Sequence, residues 1–128
     1  WGTSRFALEG NALFGQWTWS GEGIKPAGAD DDTTHKVMKF KILKSSVRAY
    51  QRNLNTHSSY KDFRLARAEL RDNKMKLDSL ILSNYLNKYA ETGNEYVKIL
   101  KKIIKQNNLI EFDDAKLLPS SKKLKSLI

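Results

Sequence analysis

A mainly helical α+β domain with a small β-lobe is the fold class this sequence predicts, on three observations. From Ile42 to Ile104 apolar residues recur at helical spacing with few interruptions. Ahead of that region, Trp17-Thr18-Trp19 alternates as a strand does, and Val37, Met38 and Phe40 sit among lysines in a segment suited to pair with it. The chain's 128 residues, 40% hydrophobic and 29% charged, are enough for one domain with one core.

The elements follow in chain order. Ser4 is placed to cap a short helix through Arg5-Phe6-Ala7-Leu8-Glu9, which Gly10 and Asn11 end, with Phe6, Leu13 and Phe14 turned to the core. Trp17 and Trp19 fall on one side of a strand. Exposed, they make a platform for sugar rings or bases; buried, they pack a core. Residues 20–34 read as a polar loop, broken by Gly21, Gly23, Pro26 and Gly28. Its Asp30-Asp31-Asp32 run lacks the spacing and distal glutamate of a calcium loop, so a solvated turn is expected and no metal site. The segment His35 to Lys41 supplies a second strand, with His35 a surface histidine.

Leu43, Val47, Tyr50 and Leu54 form the apolar stripe of a helix from about Leu43 to Asn55. Ser58 or Ser59 is expected to cap the next helix, with Tyr60, Phe63, Ala66 or Arg67, and Leu70 inward and Lys61, Arg64 and Arg71 outward. Asp78 or Ser79 starts a third helix through Tyr85, Leu86 and Tyr89, apolar on more than one side and therefore central. Gly93 breaks it and Asn94 caps the last helix. Its stripe is Tyr96, Ile99, Leu100, Ile103 and Ile104, with Lys98, Lys101, Lys102 and Lys105 on the wet side. Beyond Asn107-Asn108 periodicity is lost, and residues 118–128 are expected to be a basic tail after a domain of residues 1–117.

Several function classes are excluded by composition. With no cysteine there is no disulfide framework, thiolate metal site or thiol nucleophile. No apolar run approaches the roughly 20 residues that span a bilayer. No phosphate loop, dinucleotide fingerprint, HExxH or nucleophile elbow is present, and His35 and His57 lack a nucleophile or co-ligand nearby in sequence. No cofactor is expected. The formal net charge of +9 implies attraction to polyanions, whether nucleic acid, anionic lipid or wall polymers. Hydrolytic chemistry must then come from carboxylates and tyrosines, as in glycosidases, where an acid protonates the leaving oxygen and a second group stabilises the oxocarbenium ion.

Trp1-Gly2-x-Ser4-x-x-Ala7 followed by Asn11-x-Leu13-Phe14-Gly15 resembles the hallmark of glycoside hydrolase family 73, the Glucosaminidase domain of bacterial peptidoglycan hydrolases. A closer likeness, to the Bax-type proteins of Gram-negative bacteria, is carried by further segments. These are Gly15-Gln16-Trp17-Thr18-Trp19, His35-Lys36-Val37-x-Lys39-Phe40, Ser46-Val47-x-Ala49-Tyr50-x-x-Asn53-Leu54-Asn55-Thr56-His57 and Phe112-Asp113-Asp114-Ala115-Lys116-Leu117. Tyr89-Ala90 and Tyr96-Val97 are similar to the family's distal signature.

The resemblance implies a lysozyme-like fold and an endo-β-N-acetylglucosaminidase acting on the GlcNAc-MurNAc backbone. It implies a periplasmic or cell-envelope location, reached through a leader outside this chain, with peptidoglycan strands as partner and no nucleic acid. The family's general acid is a glutamate three positions ahead of Trp1; Glu9 is a poor substitute, on the far side of the Trp-Gly turn. For the second carboxylate the expectation is Glu22, unless the substrate's own acetamido group takes that role. Tyr89 matches the tyrosine that lines the family's cleft. Asn11, Phe14 and Gly15 are expected to shape its floor, and Trp17 and Trp19 to stack on the glycan.

Overall fold

A computed structural model describes residues 4–116 of the chain. Trp1-Gly2, Leu117 and the basic tail lie outside the described residues. The chain divides into two compact units, Trp1–His57 and Ser58–Ile128.

In the first unit, helix α1 (Arg5–Gly10) starts where Ser4, in extended backbone, accepts the Ala7 N–H on its hydroxyl, and it ends at Asn11 in the left-handed conformation. Gly10 lets α1 close onto the sheet: a Cβ there would sit 2.8 Å from Ile24 Cδ1 and 3.0 Å from Lys39 Cβ. Two hydrogen bonds secure the join, Phe40 N–H to the Gly10 carbonyl at 2.7 Å and Asn11 Nδ2 to the Phe40 carbonyl at 2.8 Å. Phe6 is half-buried; the fully covered positions of α1 are Ala7 and Gly10.

The expected strand pair forms as β1 (Trp17–Thr18) and β3 (Lys36–Met38), antiparallel with Trp17 opposite Val37. A third strand, β2 (Gly23–Ile24), joins the other edge of β3, so part of the region expected to be loop belongs to the sheet. Its two residues show no alternation. They pair because Gly23 admits the close approach of β3, where a Cβ would lie 2.7 Å from both Lys36 Cβ and the Val37 carbonyl. Val37, in the central strand, is fully buried.

Helix α2 (Leu43–Thr56) has the expected span, but its covered face is turned from the expected stripe. Leu43 and Val47 are exposed, while Ser46 is buried and Tyr50 and Leu54 half-buried. The reason is polar: the Ser46 hydroxyl accepts the Leu13 N–H at 3.2 Å, giving a loop amide the partner it must have once covered.

In the second unit, a 3-10 turn at Ser58–Tyr60 precedes helix α3 (Lys61–Asp72), and neither Ser58 nor Ser59 caps it; Tyr60 holds the cap position without a side-chain bond. The inward face is as expected, with Tyr60, Ala66 and Leu70 buried and Phe63 packed on Leu70, Ala66 and Leu82. Arg64, expected outward, is half-buried.

Helix α4 (Ser79–Ser83) is capped by Asp78, whose carboxylate accepts the Leu80 and Ile81 amides. It stops far short of Tyr89. The Ser83 hydroxyl and the Asn84 amide donate to the carbonyls of Leu80 and Ile81, competing with the next helical turn for those acceptors. A 3-10 turn at Asn84–Leu86 follows. Only Leu82 and Ser83 are buried, so this segment is covered on one face.

Helix α5 (Asn94–Gln106) begins one residue earlier than a cap at Asn94 requires, because Gly93, at φ +53°, takes the cap position. Val97 and Ile104 are buried and Leu100 half-buried; Ile99 and Ile103, assigned to the same stripe from the sequence, remain exposed. A 3-10 turn at Leu109–Phe112 packs against α5.

Candidate functional site

The β-lobe presents two indoles to solvent. Trp17 is 48% and Trp19 70% exposed, far above what core packing leaves open. They share one side of the lobe through His35, which leads into β3. Its ring meets Trp17 edge-on at 4.3 Å and 73°, and lies 6.3 Å from Trp19 at 51°. The histidine expected as an isolated surface residue is thus the spacer of an aromatic shelf. The β1–β3 register, which pairs Thr18 with Lys36, is what carries His35 toward Trp19.

A second aromatic contact in this unit joins the loop after α1 to α2. Phe14 stacks on Tyr50 of α2 with ring centres 4.1 Å apart and planes within 7°. Asn11 is half-buried, and its side-chain amide is engaged with Phe40, so it shapes the loop that carries Phe14 and Gly15. Gly15 is half-buried beside Gln16, whose carbonyl accepts the Met38 N–H at 2.8 Å. Gln16 Oε1 is buried with no donor among the described residues. Sequence reading missed it, since nothing in its neighbours marks a covered amide. Glu22 is exposed and lies 3.4 Å from the Lys39 ammonium.

Tyr89 belongs to the second unit. It is half-buried, and its ring lies 5.2 Å from that of Tyr96, tilted by 31°. Burial first, then the neighbouring Tyr96 and Tyr60, push its phenol above the ordinary tyrosine range. Tyr60 shifts the same way through burial and then Tyr96, and Tyr96 through burial. All three phenols therefore ionise only at higher pH than an ordinary tyrosine. That three-tyrosine cluster joins α3, α5 and the turn after α4, and sequence spacing alone did not reveal it.

The Phe112-Asp113-Asp114 signature takes a structural part. Asp113 Oδ2 accepts the Ser79 N–H at 3.0 Å and the Ser79 hydroxyl at 3.1 Å, at the N-terminus of α4. Asp114 pairs with Lys76 at 2.6 Å; that hydrogen bond, then the charge, raises the Lys76 ammonium above its ordinary range.

The chain is 33% identical over 107 residues to "Protein bax" of Escherichia coli (strain K12), a match covering 84% of this chain and 38% of that protein. The chain thus corresponds to well under half of that relative's length. No solved structure matches significantly. The family described as mannosyl-glycoprotein endo-beta-N-acetylglucosaminidase matches residues 1–109, running through both units. By that match and the Bax likeness, the chain belongs to the Glucosaminidase family of glycoside hydrolases.

Proposed function

We propose that this chain is the glycan-cleaving domain of a peptidoglycan hydrolase, an endo-β-N-acetylglucosaminidase that cuts the GlcNAc-MurNAc backbone in the periplasm or cell envelope. The observation that carries this reading beyond the family is the exposed Trp17/His35/Trp19 shelf, two apolar faces suited to the flat sides of pyranose rings. Phe14, stacked on Tyr50, and Gly15, in the loop that Asn11 ties to Phe40, are assigned the floor of the cleft.

In the proposed reaction a glutamate protonates the departing glycosidic oxygen as positive charge builds at the anomeric carbon. The family pattern puts that acid three positions ahead of Trp1. Two arrangements offset the charge: the carboxylate of Glu22, or attack by the substrate's acetamido oxygen. Tyr89, which matches the family's cleft tyrosine, donates its hydroxyl to position the substrate. No cofactor enters the scheme.

The test is digestion of purified murein by the protein extended through the upstream glutamate. New reducing-end N-acetylglucosamine is the expected product; N-acetylmuramic acid ends would show the other bond cut. Retention on murein sacculi without any release would identify a wall-binding domain without hydrolase activity.

A further inference from the structure

The aromatic shelf of the β-lobe includes a polar ring. His35 is half-buried against both indoles, 4.3 Å from Trp17 at 73° and 6.3 Å from Trp19 at 51°. Neither of its ring nitrogens has a hydrogen-bond partner among the described residues. An imidazole keeps at least one N–H donor in either protonation state, so a donor is always present at this point of the shelf.

Other polar side chains of the lobe are turned away or engaged. Alternation along β1 puts Thr18 on the side opposite the two indoles, where its hydroxyl accepts the Gly21 N–H at 3.0 Å. Lys36, its register partner on β3, lies on that same opposite side. Lys39 pairs with Glu22 at 3.4 Å, and Lys25 Nζ donates to the Asp31 carbonyl at 3.4 Å. His35 is left as the group that brings hydrogen-bonding capacity to the indoles.

Given the glycan reading of the shelf, on which this step rests, we infer that His35 is its specificity-determining residue: the ring N–H donates to the acetamido carbonyl of an N-acetylated sugar stacked on a flanking indole. A pyranose laid on an indole turns its C–H face to the ring and points its equatorial substituents outward past the edge. A ring set steeply to the indole, as His35 is to Trp17, stands where such substituents pass. Indoles alone accept any β-linked glucan, since every hexose has a similar apolar face. The acetamido carbonyl is the strong neutral acceptor that an N-acetylated sugar adds. Both sugars of the alternating GlcNAc-MurNAc backbone carry it, so the contact forms whichever of them occupies the shelf. A site that spends a half-buried donor on one substrate group discriminates against analogues lacking that group.

The experiment is fluorescence titration of the whole chain with the β-1,4-linked tetramer of N-acetylglucosamine and with cellotetraose, which has the same backbone with hydroxyls in place of the acetamido groups. The unaltered chain should prefer the N-acetylated tetramer by roughly fivefold or more, the contribution of one hydrogen bond. His35→Phe keeps an aromatic ring against both indoles and removes the donor. It should weaken binding of the N-acetylated tetramer roughly fivefold and leave that of cellotetraose unchanged. Cellotetraose thereby reports whether the indoles are still in place. A preference retained by His35→Phe overturns the inference, as does an equal loss for both tetramers, which would make His35 a prop for the indoles. Equal binding of the two tetramers by the unaltered chain removes the inference alone, whereas binding of neither removes the glycan reading of the shelf with it.

Discussion

Replacing Asp113 with alanine tests whether the Phe112-Asp113-Asp114 signature serves structure or chemistry. The side chain accepts two hydrogen bonds from Ser79, across 34 residues of sequence, at the start of α4. Hydrogen bonds to a charged group contribute roughly 1.5–3 kcal/mol each when well covered. These are part-buried, so roughly 1 kcal/mol each is the better figure. Loss of a negative charge at a helix N-terminus adds about 0.5 kcal/mol. The sum is roughly 2–3 kcal/mol, which for a domain of this size lowers Tm by roughly 10 °C. Calorimetry or a circular-dichroism melt reads this directly. Asp113→Asn keeps one acceptor oxygen and should recover about half of the shift. Asp114→Ala, removing only an exposed bridge to Lys76, should leave Tm nearly unchanged. Equal Tm for Asp113→Ala and the unaltered protein, together with lost glycan cleavage, would refute the structural assignment.

Four further outcomes follow from the geometry. Trp17→Ala and Trp19→Ala should each weaken binding of N-acetylglucosamine oligomers about tenfold, since stripping roughly 50 Å² of apolar contact removes about 1.3 kcal/mol; fluorescence titration measures it. A double-mutant cycle on Phe14 and Tyr50 should return a coupling of about 1 kcal/mol in urea melts, and a value near zero would show that the stack contributes only area. Gly23→Ala forces a methyl against β3 and should destabilise the first unit by roughly 1–3 kcal/mol, seen as loss of protection in hydrogen exchange. The raised phenols of Tyr60, Tyr89 and Tyr96 mean that the folded state holds protons the unfolded state releases near pH 10, so their contribution is complete below about pH 10 and is lost as pH rises through the folded values. Tyr60→Phe should flatten that alkaline fall in stability, which a pH series of melts records.

Much of the helical framework was legible because caps and period are local. Ser4 and Asp78 mark helix starts through their own hydroxyl and carboxylate, and the spans of α1 and α2 follow from residues within a few positions; at α5 the cap expected at Asn94 falls instead on Gly93. The end of α4 was not legible. Leu80 to Tyr89 has a helical apolar pattern, but the polar Ser83 and Asn84 take carbonyls the helix needs, and a hydrophobicity count does not weigh that competition. In the candidate site, the sequence placed Trp17 and Trp19 on one side of a strand but left open whether they are exposed, and Phe14 entered only through the family likeness. His35 as the spacer of the indoles, Tyr50 as the backing of Phe14, and the Tyr60–Tyr89–Tyr96 cluster could not be named, since each depends on contacts between distant segments.

By itself, then, the sequence determined the mainly helical class, the β1–β3 pairing and the family, because periodicity and ordered motifs are properties of the linear chain. Tertiary structure alone decided which faces are covered. Ser46 rather than Val47 is buried because the Leu13 amide needs an acceptor, and Gly23-Ile24 becomes a strand because β3 offers an edge. Ile99 and Ile103 stay in solvent because the unit covers only the Val97–Ile104 side of α5. An apolar pattern states what a helix is able to bury; the neighbours that pack on it select the face, since close packing and paired polar groups must be satisfied together.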